Sequence, residues 1–435
     1  MTTGSGLIVA APASSTGKTT MTLALLRAFR ETGLDVRSAK AGPDYIDPAF
    51  HAAASGSACV NLDPWAMRPG LLRALYARHA AKADLVLVEG VMGLFDGARD
   101  GSGSTADLAA LLNLPVVLVL DVSGQGASAA AVADGFRRHR SDVDIVGVIA
   151  NRVGSASHGR LVADSLRAAG VPLLGAMPRC DDLVLPARHL GLVQAMEHES
   201  LEAFLSTAAN VAARAIDLAA LRAMARPSAG LTGPAPPVLP PLGQRIAVAS
   251  DEAFAFCYPH VLDGWHEMGA SILPFSPLAD EAPDRGADAV YLPGGYPELH
   301  GARLAANRAF RSGMREAAAR GAIVYGECGG YMVLGRGLVD GEGAHHTMLD
   351  LLALECSFAE RRLHLGYRRM ESVGPSPFPG CVALRGHEFH YSSVHVEQGE
   401  PLFRVSDATG AEFAPAGLRV GTVSGSFLHV VDAAE

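Results

Sequence analysis

Two short stretches carry reactive residue types at a spacing that chemistry can use. The first is Pro12-Ala13-Ser14-Ser15-Thr16-Gly17-Lys18-Thr19-Thr20, between the apolar run Leu7–Ala11 and a helical pattern over Thr19–Thr32. A turn of consecutive backbone N–H groups at a helix start cradles phosphate. Lys18 offers a positive charge to the outer phosphates of a nucleotide such as ATP, and Thr19 offers a hydroxyl to Mg2+. Ser14, Ser15, Thr16, Gly17 and Thr20 complete the loop. Pro12 stands where the phosphate-loop pattern begins with glycine. The competing reading, a Ser/Thr helix cap followed by a chance Gly-Lys-Thr, does not account for the strand before and the helix after.

Acids suited to the metal lie in two places. Gly42-Pro43-Asp44-Tyr45-Ile46-Asp47-Pro48 sets Asp44 and Asp47 in a proline-bounded turn, and Glu89 ends the apolar run Leu85–Glu89, with Asp96 in the glycine-rich loop that follows. Asp44 and Glu89 are the expected metal ligands beside Thr19. Asp47 and Asp96 suit metal or phosphate contact and turn formation equally. Asn151, just beyond the run Ile145–Ala150, is placed to read an adenine edge or to form a plain turn.

The second stretch is Ile323-Val324-Tyr325-Gly326-Glu327-Cys328-Gly329-Gly330-Tyr331-Met332. Glycines around a nucleophile permit the tight strand-to-helix turn that presents a thiol. A helix N-terminus behind the thiol predicts a lowered pKa and a thiolate. Gly329 N–H and the loop Pro293-Gly294-Gly295-Tyr296 are candidates for donating hydrogen bonds to an oxyanion. A cysteine nucleophile needs a base. Chemistry alone leaves two clusters open: Arg385-Gly386-His387-Glu388-Phe389-His390-Tyr391, and His429 near the C-terminus.

These stretches need elements to hold them. Apolar runs at Leu7–Ala11, Leu85–Glu89, Val116–Leu120 and Ile145–Ala150 alternate with helical patterns such as Gly159–Ala169. That predicts an α/β fold with a parallel sheet covered on both faces. Proline and glycine then crowd residues 227–243, which read as a linker. Apolar runs resume at Ile246–Ala249, Ala289–Leu292 and Ile323–Tyr325. The expected division is a nucleotide-binding domain over 1–226, the linker over 227–243, and a second α/β domain over 244–435. At 435 residues, two domains are also what chain length suggests. The net charge of −9, without a basic run, argues against nucleic acid or an anionic membrane as partner. No apolar run is long enough to span a bilayer. Six cysteines are scattered without a C-x-x-C pair, so neither a zinc site nor a disulfide framework is expected, and a cytoplasmic location is.

Together these residues resemble the cobyrinic acid a,c-diamide synthase family, including its hydrogenobyrinic acid counterpart. The likeness covers nearly the whole chain. It rests on Ala11–Thr20, Gly42–Pro48, Glu89–Gly97, Leu292–Glu298, Tyr325–Met332, Gly386–Ser392 and the ending Phe427-Leu428-His429. It implies a dethiobiotin-synthetase-like phosphate-loop domain followed by a class I glutamine amidotransferase domain. It also implies that His429 is the base for Cys328, and that glutamine and a corrin-ring polycarboxylate are the substrates, amidated on the a and c acetates with ATP and Mg2+. Tyr45 and Ile46 are then the expected acceptor contacts, or else packing for their turn. Ordinary class I enzymes carry a glutamate two residues after the histidine. Val431 stands there, so a Cys-His dyad is expected, with Asp432 a weak substitute for the missing acid. Ser15 departs from a family position that is often glycine, and would be strained if the loop needs positive φ there. Ammonia is expected to pass between the domains. A homodimer is allowed, and nothing in the residues demands one. Two rival readings keep part of this pattern: an amidoligase acting on another carboxylate, such as a cobyric-acid-synthase-like step, and a nucleotide-switch ATPase with an inactive glutaminase module. The intact elbow at Cys328 argues against the second.

Overall fold

The computed structural model describes residues 4–183, 187–188, 191–192, 200–227 and 239–434. The chain forms two compact units, Met1–Trp65 with Pro69–Ala235 and Ala66–Arg68 with Pro236–Glu435.

In the first unit, runs of apolar residues without alternation form strands buried on both faces. Strands β1 (Ser5–Ala10), β2 (Val36–Ala41), β3 (Val60–Leu62), β4 (Leu85–Glu89), β5 (Val116–Asp121), β6 (Ile145–Val153) and β7 (Leu173–Pro178) pair in the order β3-β2-β4-β1-β5-β6-β7. All of these pairings are parallel. Residues 226–227 add a short antiparallel pairing to β1. Helix α1 (Lys18–Glu31) follows β1, and α2 (Asp47–Ser55) follows the turn after β2. Register does the functional work here. Lys40 on β2 and Val9 on β1 are both level with Glu89 on β4, so the ends of three neighbouring strands meet beside the phosphate loop.

The second unit holds a ten-stranded sheet. Its strands are β8 (Arg245–Ala249), β9 (Ser271–Phe275), β10 (Ala289–Leu292), β11 (Ile323–Glu327), β12 (His364–Ser372), β13 (Ala383–His390), β14 (Glu400–Ser406), β15 (Ala416–Val420), β16 (Val423–Ser426) and β17 (Leu428–Ala433). Their spatial order is β9-β8-β10-β11-β16-β15-β14-β12-β13-β17. The first five in that order pair in parallel, and the remainder are antiparallel. A separate four-stranded sheet comprises Gly337–Val339, His345–Thr347, Leu354–Ser357 and Ser393–Glu397.

The α/β expectation holds for both units, and each apolar run named from sequence falls in a strand, with Ala11 alone lying one residue beyond the end of β1. The antiparallel strands are the addition. Strands such as β12 alternate buried with exposed residues and carry several charges, so they offer no continuous apolar run to read. Of the expected linker, 228–238 lie outside the described residues. Leu239 and Leu242, which that reading placed in the linker, are buried, so its C-terminal end is packed rather than free.

Candidate active sites

The loop between β1 and α1 turns on two residues in the left-handed region, Ser15 at φ 63° and Gly17 at φ 85°. For serine this conformation costs roughly 1–2 kcal/mol, so the strain anticipated at Ser15 is present. Ser14 and Ser15 are exposed, and Thr16 closes the turn by donating to Ala13 O at 3.1 Å. Asn151 Nδ2 donates to Thr16 O at 2.8 Å, so this asparagine braces the loop. With Gly17 and Thr20 it also lines a cavity of about 380 Å³ beside the loop, whose wall includes Ser123, Arg152 and Arg179. Lys18 is buried, and its Nζ donates to Met92 O at 2.9 Å. Burial lowers its pKa, with Glu89 opposing.

Beneath the loop lies a cluster of buried charges. Thr19 Oγ1 donates to Glu89 Oε1 at 2.6 Å and is 3.3 Å from Asp47 Oδ2. Lys40 Nζ sits between the same two acids, 2.5 Å from Asp47 Oδ2 and 2.8 Å from Glu89 Oε1. His51 Nε2 meets the other oxygen of Glu89 at 2.6 Å. Burial alone would push Glu89 up, but Lys40 and His51 hold its carboxyl well below the usual range. Burial and the neighbouring Asp44 push Asp47 up to about 6. Against the cost of burial, Cys59 and Glu89 raise His51 to about 10.

The structure divides the expected metal ligands differently from the sequence reading. Of the two acids in the Gly42–Pro48 turn, Asp47 rather than Asp44 hydrogen-bonds Thr19. Asp44 Oδ1 is engaged by Ile46 N–H at 2.8 Å and Asp47 N–H at 3.0 Å, where it caps the start of α2. Asp96 serves its own loop and accepts Gly93 N–H at 3.0 Å. A hydroxyl and two carboxylates form an oxygen donor set that fits a hard dication. Tyr45 is half-buried and Ile46 is buried, so of the two expected acceptor contacts Tyr45 has side-chain surface to offer. Sequence reasoning missed Lys40 and His51. A lone lysine among small residues at the end of a strand, Ser38-Ala39-Lys40-Ala41, was the available signal.

In the second unit, β11 runs into a sharp turn at Cys328, which has φ 47° and ψ −107°. The glycines permit this turn by close approach. A Cβ on Gly330 would lie 2.0 Å from Leu292 O, and one on Gly326 2.9 Å from Gly330 O. Cys328 N–H is bound to Ser426 O at 2.8 Å, which ties the elbow to the adjacent strand β16. The loop of Gly294 and Gly295 passes beside the thiol. A Cβ on Gly294 would fall 2.5 Å from His429 Cε1, 3.3 Å from His429 Nε2 and 3.3 Å from Cys328 Cβ. Gly295 N lies 3.0 Å from the Cβ position of Gly329, so backbone from both candidate oxyanion loops converges at this point.

Both histidine clusters are brought to this site, because β13 pairs with β17 and sets His387 level with His429. The two rings stack at 4.8 Å, and His387 Nε2 is 2.7 Å from Tyr258 Oη. Burial, together with His387 and His390, holds His429 well below its ordinary pKa, so the ring is neutral and can act as a base. Glu388 is held by Arg368 at 2.7 Å and His390 at 3.1 Å. Among the described residues, His364, Glu388 and His390 are the one group of three His, Cys, Asp or Glu side chains whose ligand atoms lie close enough to share a metal ion. The imidazoles of His364 and His390 stack in parallel, however, with centroids 4.6 Å apart and 7° between planes. One ion cannot lie in both ring planes, as imidazole coordination requires.

The expected thiolate is corrected. Burial pushes the Cys328 thiol above its usual range, Glu298 adds to this, and only the Gly329 N–H pulls the other way. The helix behind the thiol, Gly329–Leu334, is six residues long, and its N-terminus is outweighed by desolvation. The resting pair is therefore thiol and neutral imidazole. Asp432 is also removed as a substitute acid, because Arg68 holds it at 2.9 and 2.8 Å.

Residues 7–193 match the CobQ/CobB/MinD/ParA nucleotide binding domain family, and residues 245–435 match the CobB/CobQ-like glutamine amidotransferase domain family. The chain is 58% identical over 430 residues to the hydrogenobyrinate a,c-diamide synthase of Brucella suis biovar 1 (strain 1330), covering 98% of each chain. It is 54% identical over 433 residues to that of Sinorhizobium sp, covering 99% of each. It is 53% identical over 435 residues to that of Rhodobacter capsulatus, covering 98% of each.

Two outcomes follow from these geometries. Replacing Lys40 with Met leaves Asp47 and Glu89 buried without their shared cation, and should lower stability by roughly 3–5 kcal/mol. Urea denaturation of the full chain measures this, and an unchanged midpoint would mean that the acids are compensated without Lys40. Alkylation of Cys328 by iodoacetamide, followed by mass spectrometry, should accelerate continuously between about pH 6 and 9, as expected of a protonated thiol. A rate that levels off near neutral pH would contradict the neutral resting pair.

Proposed function

The chain belongs to the hydrogenobyrinate a,c-diamide synthase family, and we propose that it converts the a and c acetate carboxylates of hydrogenobyrinic acid to primary amides in cobalamin biosynthesis, using ATP and glutamine-derived ammonia. The observation that carries this reading is identity to such synthases along both units, each of which retains its own reactive constellation.

In the second unit, Cys328 Sγ attacks the side-chain amide carbon of glutamine and a C–S bond forms. His429 takes the thiol proton and delivers it to the departing nitrogen, which leaves as ammonia. Water then hydrolyses the thioester to glutamate. Backbone N–H groups of Gly295 and Gly329 stabilise the oxyanion, a role that the close approach of the two glycines supports, and Gly294 lets the loop approach the pair. A neutral thiol–imidazole pair implies that proton transfer accompanies attack and does not precede it.

In the first unit, residues 14–20 and Lys18 hold the ATP phosphates, with Asn151 bracing the loop and the adjacent cavity taking the nucleoside. A substrate carboxylate oxygen attacks the γ-phosphorus, ADP leaves, and ammonia displaces phosphate from the acyl phosphate. Mg2+, held by Thr19, Asp47 and Glu89 with Asp44 at the rim, would neutralise charge on the phosphoryl oxygens. Lys18 and Lys40 supply fixed positive charge to the same region. Tyr45 is the proposed acceptor contact. A cytoplasmic location accords with six free cysteines, and no helix among the described residues is long and apolar enough to cross a membrane.

Incubation of the full chain with hydrogenobyrinic or cobyrinic acid, ATP, Mg2+ and glutamine, followed by mass spectrometry, should show two carboxyl-to-amide conversions on the metal-free ring. C328A should abolish the reaction with glutamine and retain it with ammonia. Conversion of neither ring, with ATP hydrolysis intact, would sink the acceptor assignment. Full glutamine-dependent activity in C328A would sink the nucleophile.

A further inference from the structure

The position that carries the triad acid in ordinary class I enzymes holds Val431, which is buried, and Asp432 beside it is ion-paired with Arg68. A different carboxylate faces the histidine. Glu327, at the end of β11, lies with Oε2 3.8 Å from His429 Nδ1. Both of its oxygens are held: Oε1 accepts Val430 N–H at 3.1 Å, and Oε2 accepts the Tyr291 hydroxyl at 2.9 Å. The carboxylate therefore grips the backbone of β17 one residue from His429, and its own backbone leads directly into the nucleophile. The imidazole is further fixed by its stack on His387 and by Gly294, which lies against Cε1 and Nε2 on the side of Cys328.

We propose that Glu327, the residue preceding the nucleophile, is the positioning acid of this glutaminase and completes a Cys328–His429–Glu327 triad from the opposite side of the histidine. This rests on the amidotransferase reading above. Glu327 orients the ring with Nδ1 toward itself and Nε2 toward Cys328. When the thiol proton moves to Nε2, the carboxylate faces the resulting imidazolium and stabilises its charge until the proton passes to the departing amide nitrogen. The 3.8 Å separation is ion-pair reach rather than a hydrogen bond, and such contacts tighten when the charge appears.

Burial pushes the Glu327 carboxyl up to about 7, with Val430 N–H and the Tyr291 and Tyr325 hydroxyls pulling it down. The titratable groups facing it are Tyr291 on β10, Tyr325 on β11, His429 on β17, Cys257 and Cys328. The acid is neutral below that pKa and charged above it. Glutaminase turnover should therefore fall as pH drops through about 7, which a purely structural role would not produce.

The test measures glutamate release by the full chain across pH for wild type, E327Q and E327D. Circular dichroism and urea denaturation of each full-chain variant report whether the unit that carries Glu327 is folded, and ammonia-dependent amidation reports the other unit. E327Q should lose about 10²-fold in kcat, with KM changed far less, and should lose the acid limb near pH 7. E327D should keep a limb at a shifted pH. An E327Q enzyme with wild-type kcat and an intact limb overturns the proposal. Should E327Q fail the folding control, a limb in E327D unmoved from wild type overturns it instead. Wild type that releases no glutamate would instead count against the amidotransferase reading itself, a distinct result.

Discussion

A carboxylate buried at the end of a parallel strand is unfavourable unless its charge is met, and each unit is organised around one such acid. Glu89 ends β4 and is fully buried, and Lys40, His51 and Thr19 converge on it. Glu327 ends β11 and is met by Val430 N–H, Tyr291 and the edge of His429. The two solutions differ in kind. Cations surround Glu89 and keep it ionised, whereas neutral donors surround Glu327 and leave it close to its titration point near neutral pH. The first suits a site that handles phosphate and metal charge. The second suits a site where one proton must move.

The same contrast runs through the two reactive groups. Lys18 and Lys40 keep positive charge near the phosphate loop through carboxylates that share it. Cys328 and His429 rest as a neutral pair because both are desolvated, and desolvation disfavours either charged form. Glycine makes that burial compatible with reactivity. Leu292 O and the Gly294 loop approach so closely that no side chain fits between, and the thiol is aimed by a strained backbone at Cys328.

Much of the frame could be read before any coordinates. The apolar runs lie in parallel strands because residues buried on both faces must be apolar throughout, and that leaves a plain mark in the sequence. The phosphate loop and the cysteine elbow were legible for a related reason, since each needs particular residues consecutively. The antiparallel strands after residue 364 were not legible. Their residues alternate between interior and solvent, and the polar run Arg385–Tyr391 carries no apolar stretch to mark it as a strand although most of it lies in β13. The thiolate expectation failed because a short helix N-terminus is visible in sequence while the burial that outweighs it is not.

By itself, the sequence determined the family, the α/β class, the elbow that carries the proposed nucleophile Cys328 and the loop that includes Lys18 and Thr19, because these depend on local spacing and residue type. Through the family resemblance it also pointed to His429. Tertiary structure decided which distant groups meet them. Strand register brought Lys40 level with Glu89, and the turn into α2 gave Thr19 the company of Asp47 rather than Asp44. Pairing of β13 with β17 stacked His387 on His429, and the fold turned Glu327 toward the histidine. Such meetings join residues 28 positions apart, as Thr19 and Asp47 are, to 102 positions apart, as Glu327 and His429 are. They depend on how whole strands align, which spacing along a chain does not encode.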